Sequence, residues 1–139
     1  MKYAHGVLLL CLSTGVAGTA AAQEEHCPLP GSIRELPHGL YLVDDPGSPR
    51  WLGIAQGGVG GTVTGFASGI VRPHADDETI GFLRGCSYHL QRGEILLKHD
   101  DGNDLVALKN LPAWERTEGP FGIVYYECTG PAQACRFSR

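Results

Sequence analysis

Two acidic segments and a handful of histidines are the residues of this chain best equipped to do chemistry. The segments read His74-Ala75-Asp76-Asp77-Glu78 and Lys98-His99-Asp100-Asp101-Gly102-Asn103-Asp104. Carboxylate oxygens are hard ligands, and a cluster of them suits Ca²⁺. In the first segment consecutive carboxylates on an extended chain point in different directions, and no second ligand set accompanies them. A solvated loop is the stronger reading. In the second, the D-D-G-N-D core looks like a calcium loop, but the helical EF-hand pattern places its acids at alternate positions and closes on a distant glutamate. Leu105 to Lys109 supplies no glutamate. Asp-Gly and Asn are also what tight hairpin turns select, so a chain reversal is expected there.

Nucleophilic catalysis finds no better support. The serines of the mature chain are Ser32, Ser48, Ser68, Ser87 and Ser138, and none stands in a G-x-S-x-G elbow. His26, His38, His74, His89 and His99 are scattered. The 15 acidic residues allow many carboxylate pairs, and nothing selects one for glycoside hydrolysis. Gln56 to Gly61 (QGGVGG) superficially resembles a phosphate-cradling loop, but Thr62 to Val71 reads as a strand rather than the helix such a loop needs. No catalytic residue, metal ligand set or cofactor is nominated.

The cysteines carry a firmer message. Residues 1–22 read as a secretory signal peptide: Lys2, then the apolar run Gly6 to Leu12, then Ala20-Ala21-Ala22 before Gln23. The apolar run is shorter than the roughly 20 residues that a membrane span needs. Leu9 and Leu10 before Cys11 do not suit a lipoprotein signal, which wants small residues there. Cleavage after Ala22 leaves one domain, 23–139, with Cys27, Cys86, Cys128 and Cys135. Four cysteines in an exported chain imply two disulfides. The favoured pairing joins Cys86 to Cys128 and Cys27 to Cys135; the alternative closes Cys128 on Cys135 and pairs Cys27 with Cys86. A zinc site is disfavoured, since no Cys-x-x-Cys knuckle is present. The mature charge is −5, ten basic against fifteen acidic residues, with no run of more than two basic residues. Nucleic acid is excluded as a partner on that ground, and anionic membrane surfaces are disfavoured.

The elements that must position these groups are short strands. Gln23 to Pro37 reads as an extended lead-in. Gly39 to Asp44, Trp51 to Ala55 and Thr62 to Val71 are strand candidates. Thr79 to Leu83, Cys86 to Leu90, Glu94 to His99 and Asp104 to Lys109 form a central meander, with Gln91-Arg92-Gly93 and Asp100 to Asn103 as its reversals. Asn110 to Pro120 is a loop around Trp114, and Phe121 to Cys128 (FGIVYYEC) is the most β-prone run. No mature segment repeats its apolar residues at helical spacing. The expected fold is all-β, a small antiparallel sandwich or barrel. Tyr125 and Tyr126, adjacent on one strand, should face opposite sides, one core and one exposed. Trp51 and Trp114 fit either core plugs or surface anchors, and Trp114, Tyr125 and Tyr126 are the candidate partner contacts.

Cys27-Pro28, the Trp51 strand, Cys86-Ser87-Tyr88 before Ile95-Leu96-Leu97, and the terminal Cys128 with Cys135-Arg136-Phe137 together resemble a family of small secreted bacterial proteins known only as a domain of unknown function. That family often has proline where this chain has Arg136. The resemblance implies a signal peptide, two disulfides and a β-rich domain, and brings no catalytic residue. A similarity of architecture alone links the chain to periplasmic lysozyme inhibitors. The expected function is therefore a non-enzymatic binding protein of the bacterial periplasm or exterior that engages a protein partner through a sheet face or loops. The alternatives are an inhibitor or immunity protein against an envelope-targeting hydrolase, and a small envelope hydrolase.

Overall fold

A computed structural model describes Gly15, Gly18 and the continuous run 23–139. The expected signal peptide and its cleavage site lie outside the described residues. Among the described residues eleven strands make up the fold, joined by short 3-10 turns. They are β1 (Glu24–His26), β2 (Arg34–Leu36), β3 (Leu40–Val43), β4 (Trp51–Ile54), β5 (Gly60–Pro73), β6 (Ile80–Arg92), β7 (Glu94–His99), β8 (Leu105–Leu108), β9 (Glu115–Glu118), β10 (Val124–Cys128) and β11 (Arg136–Ser138). All pairings are antiparallel and the sheet curls into a half-barrel, as an all-β reading requires.

The long β5–β6 hairpin is the spine. One half of the sheet runs β9-β10-β5-β6-β8-β11-β1 and the other continues from β6 through β7-β4-β3-β2. Several register shifts interrupt the β5–β6 pairing and let two long strands bend across both halves. The strands expected at Thr79 to Leu83 and Cys86 to Leu90 are one continuous strand, because Gly85, at φ 142°, absorbs such an irregularity within it.

The meander differs from the expected one in a telling way. Cys86 pairs with Leu97, and Phe82 pairs with Leu105. Four residues back along β6 thus correspond to eight residues forward along the chain. β7 and β8 run in the same direction along the same edge of β6, as one strand interrupted by a four-residue excursion. The Asp100 to Asn103 segment is therefore not a chain reversal. At its start β7 has swung away from β6 to pair Lys98 and His99 with β4, and at its end the Asp104 carbonyl accepts from the Leu83 amide at 2.8 Å.

The disulfides are Cys27–Cys86 and Cys128–Cys135, so the favoured pairing is overturned and the alternative holds. Register explains why. Cys128 lies opposite Gly69, and Gly69 lies opposite Cys86. β5 therefore separates the two cysteines by two strand spacings, roughly 10 Å, beyond the Cα separation a disulfide spans. The two ends of the run 23–139 are nonetheless held together, by β1–β11 pairing and by the Cys27 amide donating to the Cys135 carbonyl at 3.2 Å. Both bridges and Trp114 converge over Gly69. A Cβ there would lie 3.0 Å from Cys27 Sγ and 3.2 Å from Trp114 Cη2. The absence of a side chain is what allows the closure.

Candidate functional site

Among the described residues, most groups that looked capable of chemistry are occupied locally and dispersed in space. Asp77 Oδ1 accepts from the Thr79 amide (2.9 Å) and hydroxyl (2.6 Å), and the Thr79 contacts hold this carboxyl below its usual range. Glu78 accepts from the Tyr126 hydroxyl at 2.9 Å and pairs with Arg116 at 3.6 Å. Asp100 pairs with Arg50. His74 accepts from the Asp76 amide, and His89 pairs with Glu94 at 3.0 Å. No group of three His, Cys, Asp or Glu among the described residues is arranged to hold a metal.

One polar cluster is buried, and sequence reasoning missed it. The His99 side chain, fully buried, packs against Trp51 (ring centroids 4.0 Å apart) and Phe137 (6.1 Å). Its Nε2 lies 3.3 Å from Glu25 Oε2, within ion-pair reach, yet neither ring nitrogen meets a partner in hydrogen-bond geometry. Arg139 donates to Glu25 at 3.0 Å and to Asp101 at 2.7 Å. Burial alone would push the Glu25 carboxyl up, but His99 and Arg139 together hold it below the ordinary carboxylate range. The cluster joins β1, β7, the excursion and the last residue of the chain. Glu25 and Trp51 also line a cleft of about 250 Å³ between the N-terminal arm and the β3–β4 loop. Among the described residues no serine, threonine or cysteine hydrogen-bonds to His99. As arranged, these groups make an ionic clasp. No local signal announces it, because Glu25 and Arg139 are 114 positions apart.

The aromatic candidates separate cleanly. Trp114 is 6% exposed, with its indole N–H directed at the Lys109 and Arg136 carbonyls (3.1 and 3.2 Å). Both tryptophans are core plugs, and Trp114 is no surface contact. Tyr126 packs against the core. Tyr125 faces the other way, half-buried, in a shallow groove of about 220 Å³ with Ile70, Thr117 and Glu127. Neither tyrosine is freely exposed.

The fully exposed aromatic belongs to a run expected to be strand throughout. β9, expected as loop, pairs with β10, and the two meet in a tip at Gly119 to Ile123. Phe121 stands there at 101% exposure, in the left-handed region (φ 61°). The Gly119 amide donates to the Ile123 carbonyl at 2.7 Å and closes the tip. The flanks Gly119-Pro120 and Gly122 were the available signal, since such residues punctuate turns.

Over residues 22–138 the chain matches the family described as "Protein of unknown function (DUF3757)". The chain belongs to this family. No curated protein and no solved structure matches it. In this DUF3757 domain most of the residues that carried the resemblance meet in the core, while Leu96 and Arg136 are exposed. Cys27 bonds to Cys86, the Tyr88 hydroxyl donates to the Pro28 carbonyl at 2.6 Å, and Phe137 is fully buried. Burial pushes the Tyr88 phenol up, which keeps it a neutral donor. These residues are staples of the fold rather than a site.

Proposed function

We propose that this DUF3757 domain is a non-enzymatic exported binding protein of the bacterial envelope that engages a protein partner through the β9–β10 hairpin. The observation that carries this reading is Phe121. A phenylalanine in left-handed backbone is unfavourable locally by about 1–2 kcal/mol, and one fully in water forgoes the gain of burial. Strained outliers concentrate where a chain meets its ligands, and rigid aromatic side chains anchor interfaces. A neighbouring feature favours one partner class. Glu115 and Glu118 are exposed beside the tip, and the mature chain is acidic. A cleft with an apolar pocket and a basic rim would be met faster through charge complementarity. That geometry suits inhibition of a basic envelope hydrolase.

Phe121→Ala and Phe121→Gly test the reading. Both should keep the wild-type unfolding midpoint, the glycine variant equalling or exceeding it because it tolerates φ 61°. Both should lose at least about tenfold in affinity for a partner captured from envelope extract by the wild type, the range expected for a hot-spot aromatic. Retention of that partner by the folded variants would discard the hairpin as the contact. Inhibition assays against lysozymes and amidases decide the narrower reading.

A further inference from the structure

The face of the sheet turned away from the core carries a pattern that no local stretch of sequence reveals. Along β3, β4 and β7 the buried residues are Tyr41, Val43, Trp51, Gly53, Ile95, Leu97 and His99, so the alternate residues point outward. Register aligns them. Arg34, Leu42, Leu52 and Lys98 form one row across four strands, and Leu36, Leu40 and Ile54 form the next. The face continues over β6 and β8, where Phe82 lies opposite both Arg72 and Leu105. Arg84 stands two residues further along β6. Ile54 is 60% exposed, Phe82 47% and Leu105 48%.

Charge is segregated on this face. Arg50, Arg116, Arg136 and Arg139 each pair with a carboxylate elsewhere on the molecule. Arg34, Arg72, Arg84 and Lys98 have no ion-pair partner among the described residues, although the chain is acidic overall. Glu94 on the same face is paired with His89, and Asp100 and Asp101 at its margin are neutralised by Arg50 and Arg139. Beyond Arg72 the face ends in carboxylates, Glu127 opposite Ile70 and Glu115 opposite Glu127. From β2 to Arg72 of β5, what remains is a cationic, aliphatic surface on an acidic protein.

We infer that this face docks on an anionic lipid surface, with the cations at the phosphate layer and the aliphatic and Phe82 side chains entering the headgroup region. Charge complementarity selects an anionic occupant. The spread of the cations selects a surface over a peptide: they stand on β2, β5, β6 and β7, and Arg34 and Lys98 are three strand spacings apart, roughly 14 Å. A helix or extended peptide presents its acids along one line, whereas headgroups offer phosphates in two dimensions. The sequence-based expectation against membrane surfaces rests on the net charge of −5 and on the lack of contiguous basic residues; the first is a property of the whole chain and the second of its linear order. Pleating puts every second residue outward, so strands assemble such a patch from separated positions.

Co-sedimentation tests this with the exported, processed chain, its N terminus read by mass spectrometry. The vesicles contain either phosphatidylcholine alone or equal parts phosphatidylcholine and phosphatidylglycerol. Binding should require phosphatidylglycerol and fall as salt rises. Arg84→Gln and Lys98→Gln should each lower partitioning about fivefold, the equivalent of one surface cation, and Ile54→Ser should lower it further. Phe121→Ala, off this face, should bind like wild type, which separates this result from the hairpin reading. All four variants should keep the wild-type unfolding midpoint. Equal binding to both vesicle types, no binding to either, or indifference to the face variants would overturn the inference. So would a concentration-dependent dimer that Ile54→Ser abolishes, because the face would then cover a second copy.

Discussion

The two faces of the β3–β4 pair carry similar side chains and meet opposite fates. Tyr41, Val43 and Trp51 point inward and are buried, while Leu40, Leu42, Leu52 and Ile54 point outward and stay partly or largely in water. A strand that is apolar on both faces is the pattern of a sheet covered on both sides, and here the described residues supply only one cover. The inner face is closed by devices that span the sequence: two disulfides, Trp114 over Gly69, and the clasp around His99. The outer face has a pattern and, among the described residues, no lid. On the docking inferred for the outer face, folding and recognition are divided between alternate residues of the same strands.

The largest effects should come from the inner devices. The Cys27–Cys86 bridge has a sequence separation of 59, the Cys128–Cys135 bridge one of 7. Loop-closure entropy then assigns about 4 kcal/mol to the first and about 2 kcal/mol to the second. Denaturant titration of Cys27→Ala/Cys86→Ala against Cys128→Ala/Cys135→Ala should show that order. The reverse order would mean that the enclosed β10–β11 connection, rather than the tie between N-terminal arm and spine, holds the inner face shut.

Neighbouring leucines on β7 make the contrast sharper at equal chemistry. Leu97 is fully buried and Leu96 is 36% exposed. Leu97→Ala should cost about 2–5 kcal/mol through lost burial and a residual cavity, and Leu96→Ala about 0.5 kcal/mol or less. Comparable losses at both positions, measured by the same titration, would show that the outer face is covered after all.

This division also explains what the sequence revealed. Fold class and the strands β3, β4 and β7 were legible because β-branched and aromatic runs between Gly-Pro turns carry their own signal. The face inferred to dock was not. Its residues were visible as strand residues, but Arg34, Lys98 and Arg84 become neighbours only through register, and register is set by the whole sheet. The disulfide pairing is illegible for the same reason: only the register of the sheet puts β5 between Cys86 and Cys128. The Asp100 to Asn103 segment failed differently. Its composition is that of a turn, and only the pairing of β7 and β8 to one edge shows an excursion. The apolar residues after Phe121 give it the pattern of a strand, whereas Gly119 and Gly122 set the tip.

The contrast is least clean at the clasp, where the inner face is polar. His99 is as buried as its apolar neighbours, and its charged surroundings are Glu25 from β1, Arg139 beyond β11 and Asp101 of the excursion. Glu25 titrates lower when folded than when unfolded, so its contribution is complete above its ordinary value of 4.5 and is lost as the pH falls through the depressed one. Glu25→Gln keeps the shape and removes the charge. Near neutral pH it should be less stable than wild type by about 1–2 kcal/mol. The gap should narrow below pH 4.5 and close once wild-type Glu25 is protonated. Unfolding midpoints over a pH series measure this directly. A gap that stays constant into acid would mean that the carboxylate charge contributes nothing and that the clasp is held by packing on Trp51 and Phe137. The inner face would then be apolar in effect throughout, and the ions only a margin to it.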